Sequence, residues 1–238
     1  MSGHSHFAGI KHKKAAQDAK RANVFTKVSR IVTLAAKEGG GDPATNFKLR
    51  LAIDQARSVN MPKENIDRAV KRGTGELKDT AQIEEIIYEA KAPGNIVMLL
   101  KTATDNKNRT VSELKAVFNK TDVKMVPAGS FKHLFRQVGI INITTKAGNA
   151  DNIELAAIDA GAIDTIFQGE ALQVFTEPKS LQKIKEMLEK EGAQIDNASV
   201  IFHPLDPVEV DSETKMDYEE ILEKLDELDD VQEIYDNL

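Results

Sequence analysis

The sequence predicts an α+β protein: an N-terminal three-helix domain with a basic arm, then two α/β domains, at least one of them ferredoxin-like. Three observations carry this. Charge divides sharply, with 15 Lys/Arg and 6 Asp/Glu in residues 1–75 (net +9) and 17 and 32 in the remainder (net -15). Apolar spacing is helical before Leu77 and alternating after it. From Ile140 to Asn197 the elements run βαββαβ.

Residues 1–23 read as an arm. His4, His6, Lys11, His12, Lys13, Lys14, Lys20 and Arg21 surround small or single apolar residues, too few to bury a core. A first helix carries Phe25, Val28, Val32 and Ala35 at helical spacing and stops at Gly39, Gly40 and Gly41. A second is expected from Asp42 as N-cap and Pro43 at the first helical position, through Phe47, Leu51, Ala52 and Gln55 to about Val59. A third opens on Pro62 at its first position, carries Ile66, Ala69 and Val70, and ends at Gly73. The lone Gly73-Thr-Gly75 follows a helix rather than a strand, so it reads as a helix C-cap and not as a nucleotide loop.

Beyond Leu77, Ile86, Tyr88 and Ala90 alternate with Glu85, Ile87 and Glu89, a strand pattern. Pro93-Gly94 is a turn, and Ile96–Thr102 a more buried strand. Thr110-x-x-Glu113 reads as a capping box before a helix with Val111, Leu114, Val117 and Phe118 on one stripe. Residues 124–135 are expected to be extended. Strand Ile140–Thr144, helix Ile153–Ala160, strands Asp164–Phe167 and Ala171–Phe175, a helix with Leu181, Ile184 and Leu188, and strand Ala193–Asn197 complete the ferredoxin-like set. After an extended stretch at 198–210 come a helix, Tyr218–Leu228, and a last strand, Val231–Tyr235. The middle strands lack partners that these terminal elements can supply. The expected division is therefore 1–77, a discontinuous domain of 78–136 with 201–238, and an inserted domain of 137–200; three domains in linear order are the alternative.

Composition removes several function classes. No apolar run approaches the ~20 residues of a membrane helix, and Met1–Lys14 is polar and basic rather than a secretory signal. Cysteine is absent, so disulfide and thiolate chemistry are excluded. The arm histidines lack the cysteines or spaced carboxylates of a metal site, so phosphate contacts are the better reading and no metal or cofactor is expected. Asp105-Asn-Lys-Asn-Arg109 lacks the donor pattern of a calcium loop and reads as turn and helix-start chemistry. A cation near a helix N-terminus is mildly unfavourable, which makes Arg109 a candidate partner contact. His133, on an expected strand, and His203 form no nucleophile–base set. What remains is a cationic surface: Lys11, Lys13, Lys14, Lys20 and Arg21 on the arm, Arg50 and Arg57 seven apart on the second helix, and Arg68, Lys71 and Arg72 on the third. Such groups neutralise phosphates and release counterions, giving affinity with little sequence reading.

Several motifs in this chain resemble the YebC family. They are Met1-Ser-Gly-His-Ser-His-Phe-Ala, Ile10 to Arg21, Gly39-Gly-Gly-Asp-Pro43, Leu49 to Ile53, Asn60 to Arg68, Lys71 to Gly75, Ile87-Tyr-Glu89, Asp105 to Thr110, Gly129-Ser130 and Leu228 to Gln232. The chain differs from that pattern at His6, in Tyr88–Gly94 and in Met125–Gly129. The resemblance implies a three-domain protein that is not an enzyme. Some members of the family are described as DNA-binding transcriptional regulators. Others, mitochondrial relatives included, are translational activators that associate with the ribosome and relieve stalling at proline runs. A chain that opens on the family motif, with no presequence before it, is expected in the bacterial cytoplasm. The expected function is therefore a nucleic-acid-binding regulator of gene expression, a ribosome-associated factor contacting ribosomal or transfer RNA. The alternatives are a regulator bound to promoter DNA and, from another class, a small-molecule-binding or enzymatic α/β protein.

Overall fold

The computed structural model describes residues 17–77, 82–145 and 147–238, with the side chains of 17–22, 147 and 148 outside that description. The fold is α+β: three helices followed by two four-stranded antiparallel sheets with their helices. By contacts the chain separates into two compact units, residues 136–203 and the remainder.

In the larger unit, α1 (Gln17–Gly39), α2 (Phe47–Ser58) and α3 (Lys63–Gly73) come first. They enclose a core of their own: Val28, Val32, Ala35 and Ala36 from α1, Leu49, Ala52 and Ala56 from α2, and Met61, Ile66 and Ala69 beside or on α3. α1 and α3 approach closely at Gly73. A Cβ there would lie 2.3 Å from the Thr33 carbonyl oxygen, so only glycine fits. Thr33 donates its hydroxyl to the Ala69 carbonyl across the same contact. Gly75 follows with φ 77°, the left-handed residue of a helix C-terminus.

The helix starts differ from the expected ones. α1 begins at Gln17, so the last part of the expected arm, with Lys20 and Arg21, is helical backbone. α2 is capped by Asn46, not Asp42. The Asn46 carboxamide accepts from Leu49 N–H while donating to the carbonyls of Ala35 and Gly40. One side chain thus closes two helix ends, and Asp42 and Pro43 are left in the turn before it. Pro62 sits at the cap of α3, one residue before its first helical position.

The larger unit continues with β1 (Glu84–Lys91), β2 (Val97–Thr104), α4 (Lys107–Phe118) and β3 (Lys124–Val126), and closes after residue 204 with α7 (Ser212–Asp226) and β8 (Val231–Asp236). Its sheet order is β3-β1-β2-β8. The hairpin of β1 and β2 pairs Glu84 with Thr104 through to Lys91 with Val97. α4 and α7 supply Leu114, Phe118, Tyr218, Leu222 and Leu225 to the core against Met98, Leu100 and Ile234. The expected capping box is not formed. Asn106 caps α4 by accepting from Arg109 N–H, and Thr110 lies buried within the helix. The expected extended stretch 124–135 is a strand at 124–126 and again from Phe135, where β4 begins; His133 between them is exposed on a short 3-10 turn, 132–134. Buried Glu89 organises that segment, its carboxylate accepting from Gly129 N–H at 2.6 Å and Phe131 N–H at 2.5 Å.

The smaller unit holds β4 (Phe135–Thr144, but for its first residue), α5 (Ala147–Asp159), β5 (Asp164–Gln168), β6 (Ala171–Thr176), α6 (Leu181–Lys190) and β7 (Ile195–Pro204, but for its last). The sheet order β5-β6-β4-β7 with two helices is the ferredoxin-like arrangement. Ile141, Ile143, Leu172 and Val174 meet Ile153 and Ala157 of α5 and Leu181, Ile184 and Leu188 of α6 in its buried interior. α5 starts earlier than expected, and β7 absorbs the first part of the stretch expected to be merely extended. His203 packs on Phe175 with ring centroids 5.3 Å apart. Burial, with Arg136 nearby, holds its imidazole below the usual pKa, as suits a neutral packing residue.

Candidate nucleic-acid interface

The cations of the helical domain fall into two sets. Lys27, Arg30 and Lys37 of α1 point inward to the rest of their own unit. Lys27 Nζ donates to the Asp226 carboxylate at 2.8 Å and to its carbonyl. Lys37 Nζ donates to the Ile83 carbonyl at 3.0 Å. Arg30 donates to the Asp230 carboxylate at 2.6 Å and to the Asp229 carbonyl. Leu34 of α1 is buried with Ile83 and Ala103 between these polar ties.

The second set faces water. Arg57 near the end of α2, and Arg68 and Lys71 on α3, are exposed. Arg68 and Lys71 are three residues apart, so they share a helix face, and among the described residues neither forms an ion pair. Arg57 has only a long contact to Asp54, 3.7 Å on an open surface, which competes weakly with a phosphate. Two expected members behave otherwise. Arg50 is half-buried, and its buried Nε has no hydrogen-bond partner among the described residues. Arg72 is half-buried and lies 3.8 Å from Asp105. Lys11, Lys13 and Lys14, and the arm histidines, lie outside the described residues, as do the side chains of Lys20 and Arg21.

Arg109 has an internal partner that its sequence position did not reveal. Its guanidinium donates to Asp230 at 2.9 Å and to Asp105 at 2.9 Å. Those carboxylates compensate for a cation in the first turn of α4. Asp230 is the centre of the arrangement: buried, it also accepts from Thr104 Oγ1 at 2.9 Å and Thr110 Oγ1 at 2.7 Å. Burial alone would raise its pKa, but the bonds from Thr110, Arg109 and Thr104 and the charge of Arg30 outweigh that and hold the carboxyl below the ordinary value. Sequence reasoning missed this cluster. Its available signals were the pair Asp229-Asp230 opening a strand and the misplaced cation Arg109.

Among the described residues no group of His, Asp and Glu is spaced to hold a metal ion, and no helix is long and apolar enough to cross a membrane. The deciding comparison is with protein families. Residues 5–76 match the model of the TACO1/YebC protein N-terminal domain, and residues 83–238 that of the TACO1/YebC second and third domain. The chain belongs to the TACO1/YebC family. One relative, from Thermoanaerobacter pseudethanolicus and named a probable transcriptional regulatory protein, is 45% identical over 240 aligned positions, covering 100% of this chain and 97% of its own. Another of the same name, from Thermotoga maritima, is 44% identical and covers 100% and 93%. A crystal structure of a conserved hypothetical protein from Aquifex aeolicus superposes with a TM-score of 0.88 at 41% identity, covering 98% of this chain and 96% of that one. The family's first domain carries the exposed cations Arg57, Arg68 and Lys71.

Proposed function

We propose that this member of the TACO1/YebC family is a nucleic-acid-binding regulator of gene expression, with a domain division of 1–77, 78–136 with 201–238, and 137–200. The phosphate-contacting groups are Arg57, Arg68 and Lys71 together with the arm cations Lys11, Lys13, Lys14, Lys20 and Arg21. Arg50 and Arg72 act at the border of that surface, and Arg109 meets a partner only by giving up an internal bond. The observation that carries this reading is the exposure of Arg68 and Lys71, which form no ion pair among the described residues, within a segment of net charge +9 in a chain otherwise at -15. Charge so divided draws a polyanion to one end and repels it from the other, which fixes orientation. The role is that of a binding protein without a cofactor or a reaction.

Of the two nucleic acids, RNA on the ribosome is the reading we favour, and the cytoplasm the place. Contacts of this kind track phosphate and need no groove geometry, whereas a promoter reader needs a recognition helix and dimer spacing. The name shared by the relatives, probable transcriptional regulatory protein, favours promoter DNA as the second reading. Crosslinking in cells followed by sequencing of the attached nucleic acid separates them: ribosomal or transfer RNA supports the first, promoter DNA the second. In a salt series, replacing Lys13, Lys14, Lys20 and Arg21 with Ala should flatten the slope of log affinity against log salt by about 3. An unchanged slope removes the arm from the interface.

A further inference from the structure

The smaller unit carries an exposed apolar strip that its own fold does not need. Leu155 and Ile158 of α5 are 61% and 55% exposed, and Ile163, Ile166 and Phe167 on and beside β5 are exposed as well. α5 and β5 touch: Thr165 donates its hydroxyl to Glu154 at 2.5 Å. Thr165 and Phe167 are two apart and lie on one face of the strand, while Ile158 lies one turn beyond Glu154 on the helix. α5 and β5 run antiparallel, so Ile158 and Phe167 flank that contact on opposite sides, both exposed to solvent.

β5 is also an edge strand of its sheet, paired with β6 alone. Sheet edges are normally guarded by lysine, proline, shortness or inward charge. β3 is three residues long, carries Lys124 and is followed by Pro127. β8 carries Glu233 and Asp236, and β7 contains Asp196 and ends on Pro204. β5, Asp164-Thr-Ile-Phe-Gln168, has neither lysine nor proline, and its exposed centre is Ile166-Phe167.

Along the chain, the segment that forms this strip carries charge of one sign. From Ala147 to Pro178 there is no Lys or Arg, while Asp151, Glu154, Asp159, Asp164, Glu170 and Glu177 all fall in that interval. Two copies meeting there would bring these carboxylates together, which disfavours self-association. A complementary occupant has an extended backbone, apolar side chains and cationic neighbours. We propose that the free edge of β5, with Leu155 and Ile158 of α5, docks an extended lysine- or arginine-bearing apolar segment of another protein by strand addition. Backbone hydrogen bonds to β5 supply affinity, apolar side chains cover Ile158 and Phe167, and the surrounding carboxylates select for cations.

The chain has no tryptophan, so a tagged peptide reports without background. The probe is a synthetic peptide of about ten residues, lysine alternating with valine and one tryptophan at its end, titrated into the full chain. Saturable binding is expected, weakened at least about tenfold by Phe167→Lys and by Ile158→Lys. Met216→Lys, at an exposed apolar residue of α7, should leave it unchanged. The three positions are exposed, so circular dichroism should report intact folds; should Phe167→Lys unfold the chain, Leu155→Lys takes its place. A glutamate–valine peptide and a lysine–valine peptide N-methylated at alternate residues should both fail. Equal losses in all variants, or no binding, would overturn the site. Equal binding of the N-methylated peptide would overturn strand addition. Concentration-dependent dimerisation abolished by Phe167→Lys would overturn the choice of occupant in favour of a second copy.

Discussion

α1 and α3 lie side by side and are both rich in cations, yet they spend that charge in different ways. Lys27, Arg30 and Lys37 on α1 are committed to acceptors of the same compact unit. Arg68 and Lys71 on α3 are open to water. A positive balance in a domain therefore overstates its capacity for phosphate, because part of it ties the domain down. The two roles are separable by experiment: an internal cation should affect stability, a free one binding.

The largest expected effect lies on the acidic side of the α1 tie. Asp230→Ala leaves Arg30, Arg109, Thr104 and Thr110 without their common acceptor. Breaking a buried charge cluster in this way should cost about 3–5 kcal/mol of unfolding free energy in a urea titration. A loss under about 1 kcal/mol would mean that the cluster is no tie, and the contrast between the helices would fall.

Arg30→Met tests the same tie from the helix. Asp230 keeps Arg109 and both threonines, so the expected loss is smaller, about 1.5–3 kcal/mol for a hydrogen bond to a charged group. Affinity for nucleic acid, measured where the variant is fully folded, should stay within about twofold of the parent. A large drop in affinity with stability intact would place Arg30 among the phosphate contacts.

Acid provides a third test, one that needs no substitution. The folded-state pKa of Asp230 is depressed, so its contribution is fully present above the unfolded-state value of about 3.9 and is lost as pH falls through the lower, folded-state value. Stability should therefore decline below about pH 4, and the decline should be shallower in Asp230→Ala. Parallel curves for the two proteins would show that other carboxylates govern the acid transition.

The smallest effect on stability is expected on α3. Arg68→Ala and Lys71→Ala, singly or together, should change unfolding free energy by no more than about 0.5 kcal/mol. If both contact phosphate, the double variant should flatten the salt slope by about 1.4–1.8. An unchanged slope would leave no bound role for either residue.

Local signals served well where neighbours in sequence are also neighbours in space. The stripes Val28–Val32–Ala35 and Leu181–Ile184–Leu188 sit in cores as their spacing requires, and the βαββαβ order is the order of the smaller unit. Helix starts were less legible. Asp42-Pro43 is a sound local start signal, but Asn46 replaced it because its carboxamide reaches the end of α1 as well as the start of α2. Thr110 opened a plausible capping box until a buried carboxylate from the far end of the chain claimed its hydroxyl.

By itself the sequence determined the fold class, the family, the helical and strand stripes, and the net positive balance of the first 75 residues against the net negative remainder. These depend on periodicity, composition and motifs, which are local or additive. Only the tertiary structure decided which cations are free. Lys27 meets Asp226, 199 residues away, and Arg30 meets Asp230 at a separation of 200. An ion pair needs its partners within about 4 Å, and no spacing along the chain encodes that proximity.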